Sequence, residues 1–364
     1  MIQNVSIKGY TQYINSLQYT CYGINRKGEW CVNIVITGAS GFVGFNLSQY
    51  LAQKGHQITL LDRDDYCKRL VHISPLYEMP FICCDLASNR VQLPIGTDYI
   101  IHLAAMPHVD YSYHQPGEVF RNNTLSTQAI LQYATEHNIP VLLASSVEVY
   151  GGDWGRVYHE SDPYAPVSPY SASKVACEML AHSYGQCYQL PVKLFRLTNL
   201  YGPWQLPDRV IPRNFGRMLD GLSLDIQGSA VRDFLYVDDA LRAIEQIMIA
   251  GKDGQVYNVS TGLGTTMKEI GEILKPMDRS VPAVEIREQE PTQSRGSSLV
   301  GHSGRLRAEL GWLPQTTLEH GLEKTFRWYQ EHPEWVRQFS RQYHTTRETR
   351  SFIIDMARYA VPAV

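Results

Sequence analysis

The run "ASSVEVYGG", residues 144–152, sets two hydroxyls and one carboxylate, Ser145, Ser146 and Glu148, among Val, Ala, Tyr and Gly. A buried strand has no packing use for these groups, so they mark the place where a strand ends and a polar ligand is met. Further along, Tyr170 and Lys174 stand four residues apart, hence on one face of a helix. An ammonium near a phenol favours the phenolate, which gives a base for an alcohol proton near neutral pH. Ser146, at a strand's carboxyl end, is placed to hydrogen-bond the oxygen being oxidised. Taken alone, the Tyr-Lys spacing fits an innocent surface pair equally well, and Glu148 fits a strand-end carboxylate facing water.

A second set of residues decides between these readings. "VITGASGFVG" places Gly38, Gly41 and Gly44 directly after a strand and at the start of a helix, with Phe42 and Val43 in the first turn. Glycines there allow a tight turn and close backbone approach, so a pyrophosphate can lie against free amides at the positive helix end. The next strand ends at Asp62, where a carboxylate can accept from both hydroxyls of an adenosine ribose. It would repel a 2′-phosphate, so NAD is favoured over NADP despite Arg63 next door. Asp85 and Leu86, ending the third strand, are candidates to flank the adenine, Asp85 fitting a simple turn carboxylate as well. An oxidised nicotinamide would add its own positive charge to that of Lys174 in lowering the Tyr170 phenol.

The elements that must position these groups alternate regularly. "VNIVITG", "QITLLD", "PFICCD", "DYIIHLAA", "VLLASSV" and "VKLFRLT" read as strands, and "FVGFNLSQYLAQKG", "VFRNNTLSTQAILQYATEHN" and "PYSASKVACEMLAHSYGQCY" as helices. The pattern predicts an α/β fold, a doubly wound parallel (Rossmann) sheet that binds ligands at the carboxyl ends of its strands. After Tyr201, Pro- and Gly-rich segments such as "YGPWQLPDRVIPRN" indicate a smaller C-terminal substrate-binding unit over that edge. The expected division is a tyrosine-rich extension over 1–31, a dinucleotide-binding unit over 32–200, an interleaved substrate unit over 201–330 and a tail over 331–364. The extension reads as an added hairpin or oligomer arm.

The totals agree with such an enzyme: 364 residues exceed one ordinary core, 44% are apolar and 19% charged. A net charge of −3 without a basic run gives no footprint for nucleic acid or an anionic membrane. Apolar runs such as "TDYIIHLAAM" are far shorter than the roughly 20 residues of a bilayer span, and a cytoplasmic location is expected. Seven scattered cysteines fit neither a disulfide framework nor paired metal spacing, so reduced thiols and no metal are expected.

"TGASGFVG", "HLAA", "SSVEVYG", "SPYSASK", "LTNLYGP" and "RDFLYVDD" resemble, in order and spacing, the extended short-chain dehydrogenase/reductase family, specifically its nucleotide-sugar epimerases and dehydratases. The resemblance runs from about Val32 to Trp312. It implies that NAD stays bound as a temporary hydride store, with Tyr170 the base, Lys174 its partner and ribose anchor, and Ser146 contacting the sugar O4. It further implies that Asn123 lies near the cofactor and that His102, Leu103, Ala104 and Ala105 run along the pyrophosphate, although His102 reads equally as a core histidine. Asn199, Arg232 and, more weakly, Arg295 fall where relatives hold the substrate's phosphates or base, a task suited to the arginine fork. Relatives also suggest a homodimer built from two helices per subunit, one of them carrying the Tyr-Lys pair.

Glu148 and its neighbour divide the possible reactions. Dehydratases of this family carry Ser or Thr, then Asp, then Glu, the aspartic acid protonating the leaving hydroxyl and the glutamate taking the C5 proton. Glu148 matches that base, and "PHVDYS" resembles the dehydratases' loop, but Val147 stands where the acid belongs. Epimerisation needs only oxidation, rotation of the ketone and return of hydride. The sequence therefore points to an NAD-dependent nucleotide-sugar epimerase acting through a 4-keto sugar. Dehydration and decarboxylation of a uronic acid nucleotide using Glu148 are close alternatives, and an NAD(P)H-dependent reductase or a non-catalytic dinucleotide-binding protein more distant ones.

Overall fold

The structure, a computed structural model, describes residues 23–24, 30–63, 79–88, 90–153, 155–227, 230–277, 285–287 and 298–338. Seven strands form one parallel sheet: β1 (Asn33–Thr37), β2 (Gln57–Asp62), β3 (Phe81–Cys83), β4 (Tyr99–His102), β5 (Val141–Ser146), β6 (Val192–Leu197) and β7 (Val256–Val259). Their spatial order is β7-β6-β5-β4-β1-β2-β3. Neighbours pair in parallel throughout, with Ile34 opposite both Ile58 and Tyr99. The order reverses beside β1, which opens a crevice at the carboxyl ends of β1 and β4.

Both faces of this sheet are covered, which is why its strands read as near-continuous apolar runs. Ile34, Ile36, Leu60 and Leu142 point to one face, beneath α1 (Phe42–Gln53) and the helix Val237–Ala250. Val35, Leu61, Val141 and Leu143 point to the other, beneath α2 (Pro116–His137) and α3 (Pro169–Tyr188). This two-sided alternation follows from the strand's period of two. Helix α2 starts with Pro116 in its first turn and ends at Asn138 in the left-handed region, φ 55°. Helix α3 begins with a capping box in which Ser168 and Ser171 each satisfy the other's backbone amide.

Six of the seven strands are those read from the sequence. The seventh, β7, comes from beyond residue 200, so the dinucleotide sheet takes an edge strand from the second half of the chain. That half also contributes Thr265–Thr266, Val231–Arg232 and Ser298–Gly301 to a mixed sheet that Val157–Tyr158 from the first half completes, and Asn199–Tyr201 pairs in parallel with Phe234–Tyr236. Past residue 330, Trp335 and Val336 on the helix Pro333–Gln338 are buried, so packed chain continues into the segment read as a tail. In the N-terminal extension Gly23–Ile24 pairs antiparallel with Trp30–Cys31. Among the described residues no helix is long and apolar enough to cross a membrane.

Candidate active site

The turn after β1 is shaped by contacts that only glycine tolerates. Gly38 has φ +68°, and a Cβ there would stand 2.7 Å from the Ala104 nitrogen. A Cβ on Gly44 would lie 2.2 Å from the Gly38 oxygen. Gly41 precedes α1 without any side-chain cap, so the first-turn amides of Phe42, Val43 and Gly44 face outward as an anion site. The residues thus fit a dinucleotide pyrophosphate.

Asp62 ends β2 beside this turn, its carboxylate accepting from the Ser40 amide at 2.9 Å and the Arg63 amide at 2.8 Å. Burial pushes its pKa up, and those amides pull it back. Asp85 accepts from the Ala87 amide at 3.0 Å, the turn arrangement open to it from sequence. Leu86 follows in the turn after β3, its side chain buried in the core with Val35 and Leu61.

The loop after β4 packs on the glycine turn. Leu103 donates to the Thr37 carbonyl at 3.2 Å, and the Ala104 amide to the Thr37 hydroxyl at 3.2 Å, with Ala105 following. His102 is buried and shares hydrogen bonds with the Thr37 hydroxyl (2.7 Å) and the Thr127 hydroxyl (3.2 Å). Burial, then the Lys174 charge, lowers its pKa to about 3. It is a core histidine satisfied by side chains. Asn123 accepts from the Met106 amide at 2.7 Å and donates to Ser173 Oγ at 2.9 Å, tying this loop to α3.

Tyr170 and Lys174 are buried on one face of α3, as their spacing required. The Lys174 ammonium donates to the Ala144 carbonyl at 3.0 Å. Burial raises Tyr170 to about 12; a hydrogen bond with Ser146 lowers it, Glu148 raises it and Arg209 lowers it. Burial in turn pushes the pKa of Lys174 down.

Ser146 caps the short 3-10 turn Val147–Tyr150 by accepting from the Glu148 amide at 3.2 Å. That turn aims Glu148 toward Tyr170, whose titration it affects. Burial raises the Glu148 pKa, opposed by Arg232 and then Arg209. Glu148 itself is half-buried. Val147 points the other way, 2% exposed in a cluster with Val149, Tyr150, Tyr158 and Leu299.

From the second half, Asn199 donates through its amide (3.1 Å) and side chain (3.4 Å) to the Asp233 carbonyl. Arg232, on the next short strand, donates to the Val231 carbonyl at 3.0 Å and lies within electrostatic reach of Glu148. Arg295 lies outside the described residues. Sequence reading missed Arg209, which donates to the Pro107 carbonyl at 3.1 Å, and the neighbouring contact of His108 with Asp208 at 3.4 Å. No spacing signal marks these contacts, because they join two loops 102 residues apart.

The chain is similar to known enzymes. The chain is 34% identical over 319 residues to the trifunctional UDP-glucose 4,6-dehydratase/UDP-4-keto-6-deoxy-D-glucose 3,5-epimerase/UDP-4-keto-L-rhamnose-reductase RHM1 of Arabidopsis thaliana. That match covers 83% of this chain and 48% of the relative, so the chain spans about half the length of that relative. It is 33% identical over 317 residues to a dTDP-glucose 4,6-dehydratase of Streptomyces griseus, covering 83% of this chain and 95% of the relative. Among solved structures, a double mutant of DesIV, the dTDP-glucose 4,6-dehydratase of Streptomyces venezuelae, with NAD and DAU bound, superposes with a TM-score of 0.76 at 29% identity. That superposition covers 84% of this chain and 99% of DesIV. The pattern of one family matches residues 34–260. With the glycine turn, Ser146, Tyr170 and Lys174 in place within that span, the chain belongs to the NAD dependent epimerase/dehydratase family.

Proposed function

We propose that the chain oxidises the C4 hydroxyl of a nucleoside-diphosphate sugar to a ketone and returns hydride to the opposite face, a net epimerisation with NAD held throughout. NAD, when bound, would supply the hydride acceptor and a positive ring charge that adds to that of the chain's own cations near Tyr170. In this reading Gly38, Gly41 and the amides of Phe42, Val43 and Gly44 would hold the pyrophosphate, Asp62 the adenosine ribose and Lys174 the nicotinamide ribose. Asp85 and the loop Leu103, Ala104 and Ala105 would border the same groove, with Asn123 steadying it. Asn199, Arg232 and Arg295 would hold the sugar nucleotide.

The proton moves along the chain's own contacts. Ser146 orients the sugar hydroxyl and Tyr170 takes its proton, then returns it when the ketone is reduced. Elimination of water needs a proton donor for the leaving hydroxyl as well as a base. The observation that carries the choice is the burial of Val147 among apolar side chains, which removes the donor's position from the site.

A second reading is favoured by Glu148 itself. A half-buried carboxyl of raised pKa beside Tyr170 is suited to take a C5 proton, and the names of the relatives above include 4,6-dehydratase. Decarboxylation of a uronic acid nucleotide would use the same 4-keto intermediate. Incubating the protein with UDP- and dTDP-sugars in D2O and following the products by NMR separates the three. Inversion at C4 with no deuterium at C5 supports epimerisation. Loss of water with deuterium at C5 replaces it by dehydration, and release of carbon dioxide by decarboxylation. Protein purified free of NAD that consumes added NAD(P)H would instead be a reductase.

We also infer a homodimer through α2 and α3, which expose Phe120, Leu125 and Met179 on their outer faces. Light scattering of the eluting protein reads the subunit number directly.

A further inference from the structure

Of the three polar residues in "SSVEVYG", the reaction above uses Ser146 and Glu148 and leaves Ser145 without a task. Ser145 is 5% exposed and points to the opposite side of β5 from Ser146, as neighbours on a strand must. There it donates to Glu178 Oε1 at 2.5 Å. Glu178 lies on α3, four residues after Lys174 and eight after Tyr170, so all three share one face of the helix.

Glu178 is held from every side. Arg196, on β6, gives it a fork of two bonds, Nε to Oε1 at 2.9 Å and Nη2 to Oε2 at 2.6 Å. Tyr164, from the loop before α3, donates to Oε2 at 2.8 Å. Arg196 in turn donates through Nη1 to the Tyr150 hydroxyl at 2.6 Å, and Tyr150 to Asn258 Oδ1, on β7, at 2.8 Å. Glu160 joins through the Asn258 amide at 2.9 Å. Glu178 and Arg196 are 2% and 1% exposed. A pair so deeply buried is weak as a source of stability but strict in geometry, because both ions must keep their partners.

We propose that Ser145, Glu178 and Arg196 are positioning residues that lock α3 in register against β5, so that Tyr170 meets the Ser146 hydroxyl and Lys174 the Ala144 carbonyl. The unit works on both sides of the reacting groups. Ser145 is the residue between Ala144 and Ser146 on β5, and Glu178 is one helical turn below Lys174. Fixing Ser145 to Glu178 therefore fixes the strand end to the helix at the level just beneath the Tyr170–Ser146 contact. Burial pushes the Lys174 ammonium's pKa down, with Cys177 and Glu178 pushing it back up, so the unit also helps keep that cation charged.

The inference rests on the reading of Ser146, Tyr170 and Lys174 as the reacting set, and the test separates the two. Ser145→Ala and Ser145→Thr are compared with the unaltered protein in nucleotide-sugar turnover. In parallel, the 13Cζ resonance of Tyr170, assigned by its loss in Tyr170→Phe, is followed by NMR. A small displacement of reacting groups costs rate rather than binding, so Ser145→Ala should lower kcat about tenfold with KM within about twofold. It should also shift the Tyr170 resonance without lowering the unfolding temperature in proportion, and Ser145→Thr, which restores the donor, should recover both readouts. The proposal is overturned by an unchanged resonance, by unaltered kcat in Ser145→Ala, or by equal damage in both variants. An unaltered protein that converts no nucleotide sugar sinks the functional reading instead, and the resonance still decides the positioning.

Discussion

Acid should loosen the dinucleotide half of the molecule through His102. The imidazole is 2% exposed between Thr37 and Thr127, and burial lowers its pKa from 6.5 to about 3. The unfolded chain takes up a proton below about 6.5 that the folded chain refuses until about 3. This contribution is therefore complete above the unfolded value and lost as pH falls through that window. Moving from pH 7 to pH 4.5 removes about 2.5 kcal/mol by this route, from about 1.36 kcal/mol per unit of separation. Asp233 acts in the opposite sense: burial raises it to about 6, so its contribution grows by about 2 kcal/mol over the same interval. The unaltered protein alone would hide both effects. His102→Asn keeps a polar group facing Thr37 and cannot take up the proton. Urea unfolding followed by circular dichroism should show its deficit relative to the unaltered protein shrinking by about 2.5 kcal/mol between pH 7 and pH 4.5. A deficit that stays constant with pH refutes the assignment of the acid sensitivity to His102.

Three other outcomes are expected. Gly44→Ala, whose Cβ would stand 2.2 Å from the Gly38 oxygen, should lower NAD affinity by about tenfold or more at a helix-end anion site, measured by calorimetry on protein stripped of nucleotide. Tyr170→Phe should cut nucleotide-sugar turnover by about 10²- to 10⁴-fold while leaving NAD affinity nearly unchanged, as loss of a general base does. Glu178→Ala leaves the Arg196 guanidinium buried without its carboxylate and should cost about 3–5 kcal/mol in urea unfolding, whereas a cost under about 1 kcal/mol would show that water reaches the pair.

What could be read beforehand depended on whether the cause was local. The six strands of the first half and the Tyr-Lys helix announce themselves through regular alternation, and α3 spans the residues quoted for it, Pro169 to Tyr188. Strand β7 is four residues long and follows a glycine-rich approach, so nothing in "VYNV" distinguishes it from a loop. The absence of an acid at Val147 is plain in the sequence, but its burial against Leu299 needs the fold. The spacing of Tyr170 and Lys174 gives a shared helix face and not the hydrogen-bond partner: that the Ala144 carbonyl on another element accepts from the ammonium needs the fold. Glu178 was within reach of the same spacing argument, one turn beyond Lys174, and the charge of Arg196 inside "VKLFRLT" was a second sign of a buried ion pair.

The seventh strand sets the terms on which this protein could be re-engineered. Val256–Val259 completes the sheet next to β6 only after the chain has left the sheet at Leu197 and returned from the segment between. A chimera that grafts a foreign specificity unit after residue 200 would strip β6 of its neighbour and leave its backbone donors and acceptors open to aggregation. Transplants between relatives must therefore carry this strand along or splice around it at two points.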